Sequence, residues 1–534
     1  MPTDCISFED TGYFSELICD YLAETDGLKP FYNRFPKLEN FKDQIKEKKQ
    51  VFKPETRSTL VASLWEQYKG MDVSETTKLN IEALGERNTF TVTTGHQLNL
   101  FTGPLYFLHK IVSTINLSKE LKGKYPEYNF VPIYWMATED HDFDEINYFN
   151  FKGKKVRWNR NASGAVGELD TSGLDAVFKL FSQELGIGRN ADALRELFEN
   201  TYVEHGNLAE ATRYLANTLF KDHGLVIIDA NVKSLKQEFI PYLKRELTEQ
   251  ISFEQVTKVN GQIENITNKE YPIQVNPREI NLFYIIENLR ERIVFEDNLF
   301  KVLNTEIEWN EKDLLEEVSS NPERFSPNVI LRPLYQEVIL PNLCYIGGGG
   351  ELAYWFQLQQ NFKSNEVVFP MLLLRNSVLI KTEQQSNKLK KLNIANEDLF
   401  LKRDAFINKK VREISNIDID FSKQIEHLKH QFLALHELAE KTDKSFEGAV
   451  AAQERKQIKG LESLEKRLLT AQKRKLKDHV ERMTGLQNEL FPSQSLQERN
   501  INFSELYLEY GEDLIPKLME NLKPLKAEFL VLTF

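Results

Sequence analysis

The sequence predicts an α/β protein, an open parallel sheet of five strands interrupted by two insertions and followed by a long α-helical coiled coil. Three observations predict it. Buried-strand patterns recur near residues 90, 130, 225, 343 and 367 with helical stretches between them, as in parallel strands joined by crossovers. After Lys381 charge density rises, glycine and proline thin out, and apolar residues take heptad spacing. The composition, 28% charged and 41% hydrophobic over 534 residues, is that of a globular chain with room for two or three domains.

Residues 1–88 read as a mainly helical wrap on the core, broken by Pro30, Pro36 and Pro54. The core spans 89–383. Its first unit, Phe90 to Glu145, runs as strand FTVTTG, loop HQLNLFTG, a helix from Pro104, strand FVPIYWMA and acidic loop TEDHDFDE. A polar, glycine-punctuated region with helices through Leu219 forms the first insertion, about 146–222. The strand HGLVIID follows, with Asp229 as a helix cap. The second insertion, about 231–327, contains a hairpin in which Tyr284–Ile286 and Ile293–Phe295 flank a polar turn. Core patterning resumes with NLCYIGGGG and VVFPMLLLRNSVLIK.

The coiled coil spans 384–492. Ile425, Leu428, Phe432, Leu435 and Ala439 follow 3,4 spacing; Leu461, Leu464, Leu468 and Ala471 repeat it before a shift to Leu476, Val480 and Met483. Asp443 and Ser445 favour caps, so Thr442–Ser445 reads as the turn of an antiparallel hairpin, with one continuous helix as the alternative. Residues 493–534 close with a short buried strand that packs back on the core.

Charge and cysteine usage exclude several classes. A net charge of -12 disfavours nucleic acid as a partner. No apolar run approaches the roughly 20 residues that cross a bilayer, and the acidic N-terminus does not resemble a signal peptide. Cys5, Cys19 and Cys344 form no CxxC, which points to reduced cytoplasm and away from disulfides or a thiolate zinc site.

In open α/β sheets ligands sit outside the carboxyl ends of the strands, and here three such ends carry unusual residues. The first is Gly95-His96-Gln97 followed by Thr102-Gly103-Pro104, where Thr or Gly as N-cap leaves free N–H groups suited to a phosphate or carboxylate. His109 and Lys110 lie on the next turn, either reaching a phosphoryl oxygen or sitting satisfied in the core and in solvent. The second is the acidic loop with Glu139, Asp140, His141, Asp142, Asp144 and Glu145. Crowded carboxylates need an offset: a divalent cation, a bound ammonium, or lysines and arginines from the insertions. The third is Gly347, Gly348, Gly349 and Gly350 before Glu351, with expected positive φ and an anion nest. Tyr354 lines a pocket there or packs in the core; Arg332 and Gln336, just upstream, suit a carboxylate-bearing substrate.

Taken together, TGHQLNLFTGPLYFLHK, VPIYWMATEDHDFDEIN, RPLYQEVILPNLCYIGGGGELAYW, the charged run KTDKSFEGAVAAQERKQIKGLESLEKRLLTAQKRK and the tail motif SLQER resemble, in order and over nearly the whole chain, the cysteine ligase family of bacillithiol biosynthesis, the BshC family. One departure is GGGG where GGPG is expected in many members. The resemblance implies a Rossmann-like parallel five-stranded core with two connecting insertions plus a long α-helical coiled coil. It implies amide formation between the carboxyl of L-cysteine and the amine of glucosaminyl-malate, with ATP and Mg²⁺ as expected cofactors. Related cysteine-activating enzymes hold the thiol through zinc and cysteine thiolates; this chain lacks such a cysteine set, so no zinc is expected, and the coiled coil is expected to form a homodimer. Carried over by residue, His96, Thr102, Gly103, His109 and Lys110 would bind phosphates. Glu139, Asp140, His141, Asp142 and Asp144 would face the amine or a metal, with His109, His141 and Asp142 the catalytic candidates. Gly347 to Glu351 would close the pocket, and Gln497, Glu498 and Arg499 would form part of a second nucleotide site. Two rival readings are a metal-dependent hydrolase using the acidic loop and a non-catalytic scaffold binding a metabolite.

Overall fold

The computed structural model describes residues 3–266 and 271–534. Its central sheet contains the five expected strands: β1 (Thr89–His96), β2 (Asn129–Met136), β3 (Val226–Asp229), β4 (Asn342–Gly347) and β5 (Met371–Leu374). All pairs are parallel, in the order β5-β4-β1-β2-β3. Every residue of β1 is buried, which is why these strands read as continuous apolar runs rather than alternating ones. Helix α1 (Tyr106–Lys124) crosses from β1 to β2 and buries Phe107, Leu108, Ile111, Val112 and Ile115. The chain moves outward through β2 and β3 and then returns to the other side of β1 at β4. That reversal makes β1 and β4 the switch point of the sheet, where a crevice opens.

Of the two insertions, the second lines this crevice, through Arg290 and Pro327. The first carries the antiparallel pair Tyr148–Phe151 and Lys154–Arg157. The second begins with α2 (Lys233–Glu249) and includes the expected hairpin, Leu282–Ile286 paired with Leu289–Glu296. Helices α3 (Arg332–Ile339) and α4 (Gly349–Phe356) flank β4. The N-terminal helices hold the core through buried polar ties: Tyr21 donates to the Leu372 carbonyl at 2.6 Å, and buried Lys48 meets Glu337 at 3.1 Å.

Beyond β5 the chain forms β6 (Val378–Lys381) and then the helices α5 (Ser422–Ala439), α6 (Lys444–Lys475) and α7 (Lys477–Leu490). Of the two sequence alternatives the hairpin is the one formed: Asp443 caps α6 by accepting from the Phe446 N–H at 2.9 Å, and Phe432, Ala439 and Val450 pack across the seam. The helix breaks again at Leu476, where the apolar register shifts. A two-helix hairpin has one seam, and the leucine pattern is wider than that. Leu435 and Leu464, both at heptad positions, remain 41% and 50% exposed, beside exposed Leu433, Leu438 and Phe446. The tail ends in β7 (Phe529–Thr533), which pairs with β6 on one side and with Thr3–Ile6 on the other, so both ends of the described chain share one small sheet.

Candidate functional site

β1 and β2 run in register, Gly95 opposite Trp135 and His96 opposite Met136, so their loops leave the sheet at one level. There, at the carboxyl ends of β1, β2 and β4, lies a cavity of about 360 Å³. Its walls differ in charge.

Arg332, the first residue of α3, supplies one wall. Its guanidinium donates to Gln336 Oε1 at 3.1 Å and the Tyr354 hydroxyl at 3.5 Å, and faces the rings of Trp135 and Tyr345 at 5.9 and 5.7 Å. All of these partners are neutral; among the described residues Arg332 forms no ion pair. Arg290 arrives from the hairpin, stacked over Phe283 at 3.9 Å and donating to His141 Nδ1 at 2.6 Å.

Glu139 and Asp140 also line the cavity, close to Arg290. Glu139 pairs with buried Lys236 of α2, which also donates to the Phe325 carbonyl at 2.7 Å. Asp140 accepts from Gln97 Nε2 at 2.9 Å and from the His141 N–H at 2.8 Å. The remaining acids turn elsewhere. Asp142 caps the short helix Phe143–Ile146 through the Glu145 N–H at 3.2 Å. Asp144 meets Arg157 at 2.7 Å and is 83% exposed, and Glu145 accepts from Gln97 at 2.8 Å. Of the offsets considered for this crowded loop, cations from both insertions are the ones present: Lys236, Arg290 and Arg157. Among the described residues no three His, Cys, Asp or Glu side chains converge as metal ligands. His141 is half exposed and lines a second hollow with Asp142, Asp144 and Arg160.

The floor is Lys110, which donates to the Gly95 carbonyl at 2.7 Å and to Glu351 at 2.6 Å. Burial pulls the Lys110 ammonium below its usual range while Glu351 opposes that pull. Glu351, although burial raises it, is held below the usual carboxylate range by Lys110 and by hydrogen bonds from Tyr345 (2.7 Å) and the Gly348 N–H (3.1 Å). Beside it, burial and the Lys110 charge push His96 down to about 3, which makes the imidazole neutral. Among the described residues its Nε2 has no hydrogen-bond partner.

Several sequence expectations are corrected. Thr102 and Gly103 do not cap α1. The chain passes through left-handed Phe101, Thr102 and Gly103 (φ 48, 67 and 63°) and the helix starts at Tyr106. The tail covers this end: the Leu105 N–H donates to the Ile501 carbonyl at 2.8 Å, and Asn502 grips the carbonyls of Phe101 and Gly103 at 2.7 and 2.6 Å. The glycine run adopts no positive φ. Its small size serves packing instead, since a Cβ on Gly347 would stand 2.8 Å from Leu352 Cδ1. The Gly348 N–H expected to cradle a ligand takes the chain's own Glu351, and of this segment only Glu351 and Tyr354 reach the cavity.

His109 and the tail motif lie away from the cavity. His109 is fully buried and bonds Glu498 at 3.1 Å. Glu498 also accepts from Arg375 at 2.7 Å and the Val378 N–H at 3.0 Å; although burial raises it, Arg375 and His109 hold it well below the usual carboxylate range. Gln497 bonds both the N–H and the carbonyl of Ile380, at 2.9 and 2.8 Å. Both side chains therefore stitch the tail to β6, and only Arg499 is exposed. Gln336, also buried, serves Arg332 and Glu337 rather than the cavity. Sequence reasoning missed Arg290, Lys236, Trp135 and Tyr345. The two aromatics had a signal, large rings at the carboxyl ends of apolar strands; Arg290 and Lys236 had none beyond a cation inside an amphipathic element.

Comparison with known proteins agrees with this arrangement. The family model "Bacillithiol biosynthesis BshC, N-terminal Rossmann-like domain" matches residues 1–376, and "Bacillithiol biosynthesis BshC, C-terminal coiled-coil domain" matches 378–534. Proteins named "Putative cysteine ligase BshC" are similar over their full length: 59% identical in Christiangramia forsetii (100% of this chain, 99% of the relative) and 58% in Flavobacterium johnsoniae (100% of each). The protein of the same name in Cytophaga hutchinsonii is 36% identical over 97% of this chain and 96% of its own. With both of its domains matched and its relatives covered end to end, the chain belongs to the bacillithiol biosynthesis BshC family.

Proposed function

We propose that this chain is a cysteine ligase that joins the carboxyl of L-cysteine to the amine of glucosaminyl-malate in the cytoplasm. The observation that carries the reading is the cavity at the switch point, lined both by Arg332, which forms no ion pair among the described residues, and by the carboxylates of Glu139 and Asp140. A substrate bearing both carboxylate and ammonium groups matches such walls. Arg332 would hold a non-reacting carboxylate of the acceptor, with Trp135 and Tyr345 limiting its motion. Glu139 and Asp140, which line the cavity, would orient the amine. Amide formation from a free carboxylate is uphill in water, so an activating nucleotide, ATP with Mg²⁺, belongs to the proposal. The cationic floor and wall suit the negative charge such activation brings to the cavity. Without a three-ligand cluster among the described residues, Mg²⁺ would enter with the phosphates that supply most of its ligands.

A homodimer through the coiled coil is part of the same proposal, supported by the exposed leucines of α5 and α6. No helix among the described residues is long and apolar enough to cross a membrane. Incubation of pure protein with cysteine, glucosaminyl-malate, ATP and Mg²⁺, followed by mass spectrometry, tests the reaction. The expected result is the thiol amide, formed only with nucleotide. Product formed without nucleotide would remove the activation step from the proposal, and release of free amine from an amide would favour a hydrolase.

A further inference from the structure

We propose that Glu351 is a positioning residue that keeps Lys110 charged at the cavity floor, leaving one N–H of its ammonium for an anionic oxygen of the bound reactants. An ammonium carries three donors. Among the described residues two are matched, by the Gly95 carbonyl and by Glu351, and Lys110 lines the cavity with the third unmatched. The second half of this inference rests on the ligase reading; the first half does not.

The glycine run, left without a ligand by the cavity's geometry, has a place in this arrangement. Gly347 lets α4 start close against β4, since a Cβ there would press on Glu351 Cβ at 3.1 Å and on Tyr345 at 3.0 Å. Glu351 is thereby seated under Lys110, fixed by the Tyr345 hydroxyl and the Gly348 N–H. The other charged groups that face Lys110 are Arg332 of α3 and Arg375 after β5, and both oppose its charge; His96, at the end of β1, is neutral. Tyr345 of β4 and Tyr354 of α4, whose hydroxyls burial keeps protonated, add no charge. A lysine buried there without Glu351 would lose its proton.

The test follows Lys110 directly. Protein labelled at lysine ¹³Cε is titrated by NMR, the Lys110 signal being assigned by its loss in K110R. Removal of an opposite charge at this range lowers a lysine titration midpoint by roughly 1–3 pH units. E351Q is therefore expected to lower the Lys110 midpoint by that amount, and E351D to restore most of it. Y345F, which keeps the carboxylate but frees one of its ties, gives a smaller shift in the same direction and stands in if E351Q fails to fold. An unchanged midpoint in every folded variant overturns the positioning role. The pH profile of kcat/KM for thiol amide formation is then measured on the same proteins. The alkaline limb is expected to move down with the Lys110 midpoint; a limb that stays in place while the midpoint moves overturns the contact with the reactants. Wild-type protein that makes no amide would count against the ligase reading, and the NMR titration would still decide the role of Glu351.

Discussion

Replacing Arg332 by glutamine tests the carboxylate wall. The guanidinium has only neutral partners, Gln336 and Tyr354, so its charge is unspent until a ligand arrives. A hydrogen bond to a charged group contributes about 1.5–3 kcal/mol, and 1.4 kcal/mol is about tenfold in affinity. R332Q is therefore expected to raise KM for glucosaminyl-malate about 10- to 150-fold while KM for cysteine changes little. R332K keeps the charge but not the planar fork or its stacking on Trp135 and Tyr345, so it recovers only part of the loss. Stability should change little: burial costs the guanidinium its hydration while Tyr354, Tyr345 and Glu351 favour its charge, so R332Q should melt close to wild type. Initial-rate kinetics with each substrate varied in turn, alongside calorimetric melting, measures both. A rise in KM for cysteine alone, or a large drop in melting temperature, would refute the reasoning, because either result makes Arg332 a donor-side or structural residue.

Three other perturbations separate site from framework. E498Q removes the counter-charge of Arg375 and the carboxylate that bonds His109 in the core, and breaking a buried pair such as Arg375–Glu498 costs about 3–5 kcal/mol. Because the folded Glu498 pKa is depressed, its contribution is present above the unfolded value of about 4.3 and is lost as pH falls below it. The difference in melting temperature between wild type and E498Q should thus shrink on acidification from pH 7 to pH 3. D142A removes a helix cap, so a loss of about 1 kcal/mol by denaturant titration is expected with kcat within a few-fold of wild type; a kcat fall of a thousandfold would return Asp142 to catalysis. The double variant L435E/L464E places charge on the exposed leucine face of the hairpin and should sediment as a monomer; a persisting dimer would locate the interface elsewhere.

The parallel strands, the hairpin in the second insertion and the register shift at Leu476 were legible in the sequence because each rests on local periodicity, which a chain carries along its own length. The place of the site was legible for the same reason: the strand ends at His96, Met136 and Gly347 are punctuated by polar or glycine residues, and sheet topology brings them together. Which side chains face the cavity was settled only by tertiary structure. His109 and Lys110 are neighbours on one helix, yet Lys110 reaches the Gly95 carbonyl while His109 turns toward a glutamate 389 positions away. Arg290 and Lys236 reach the acidic loop from insertions whose sequence only allowed for such cations. The glycine run and the start of α1 both looked like open anion sites, and both are filled by the protein itself, by Glu351 and by the tail at Ile501 and Asn502. Periodicity sorts residues into inside and outside; the pairing of buried charges depends on which distant segments meet, and no local pattern encodes that.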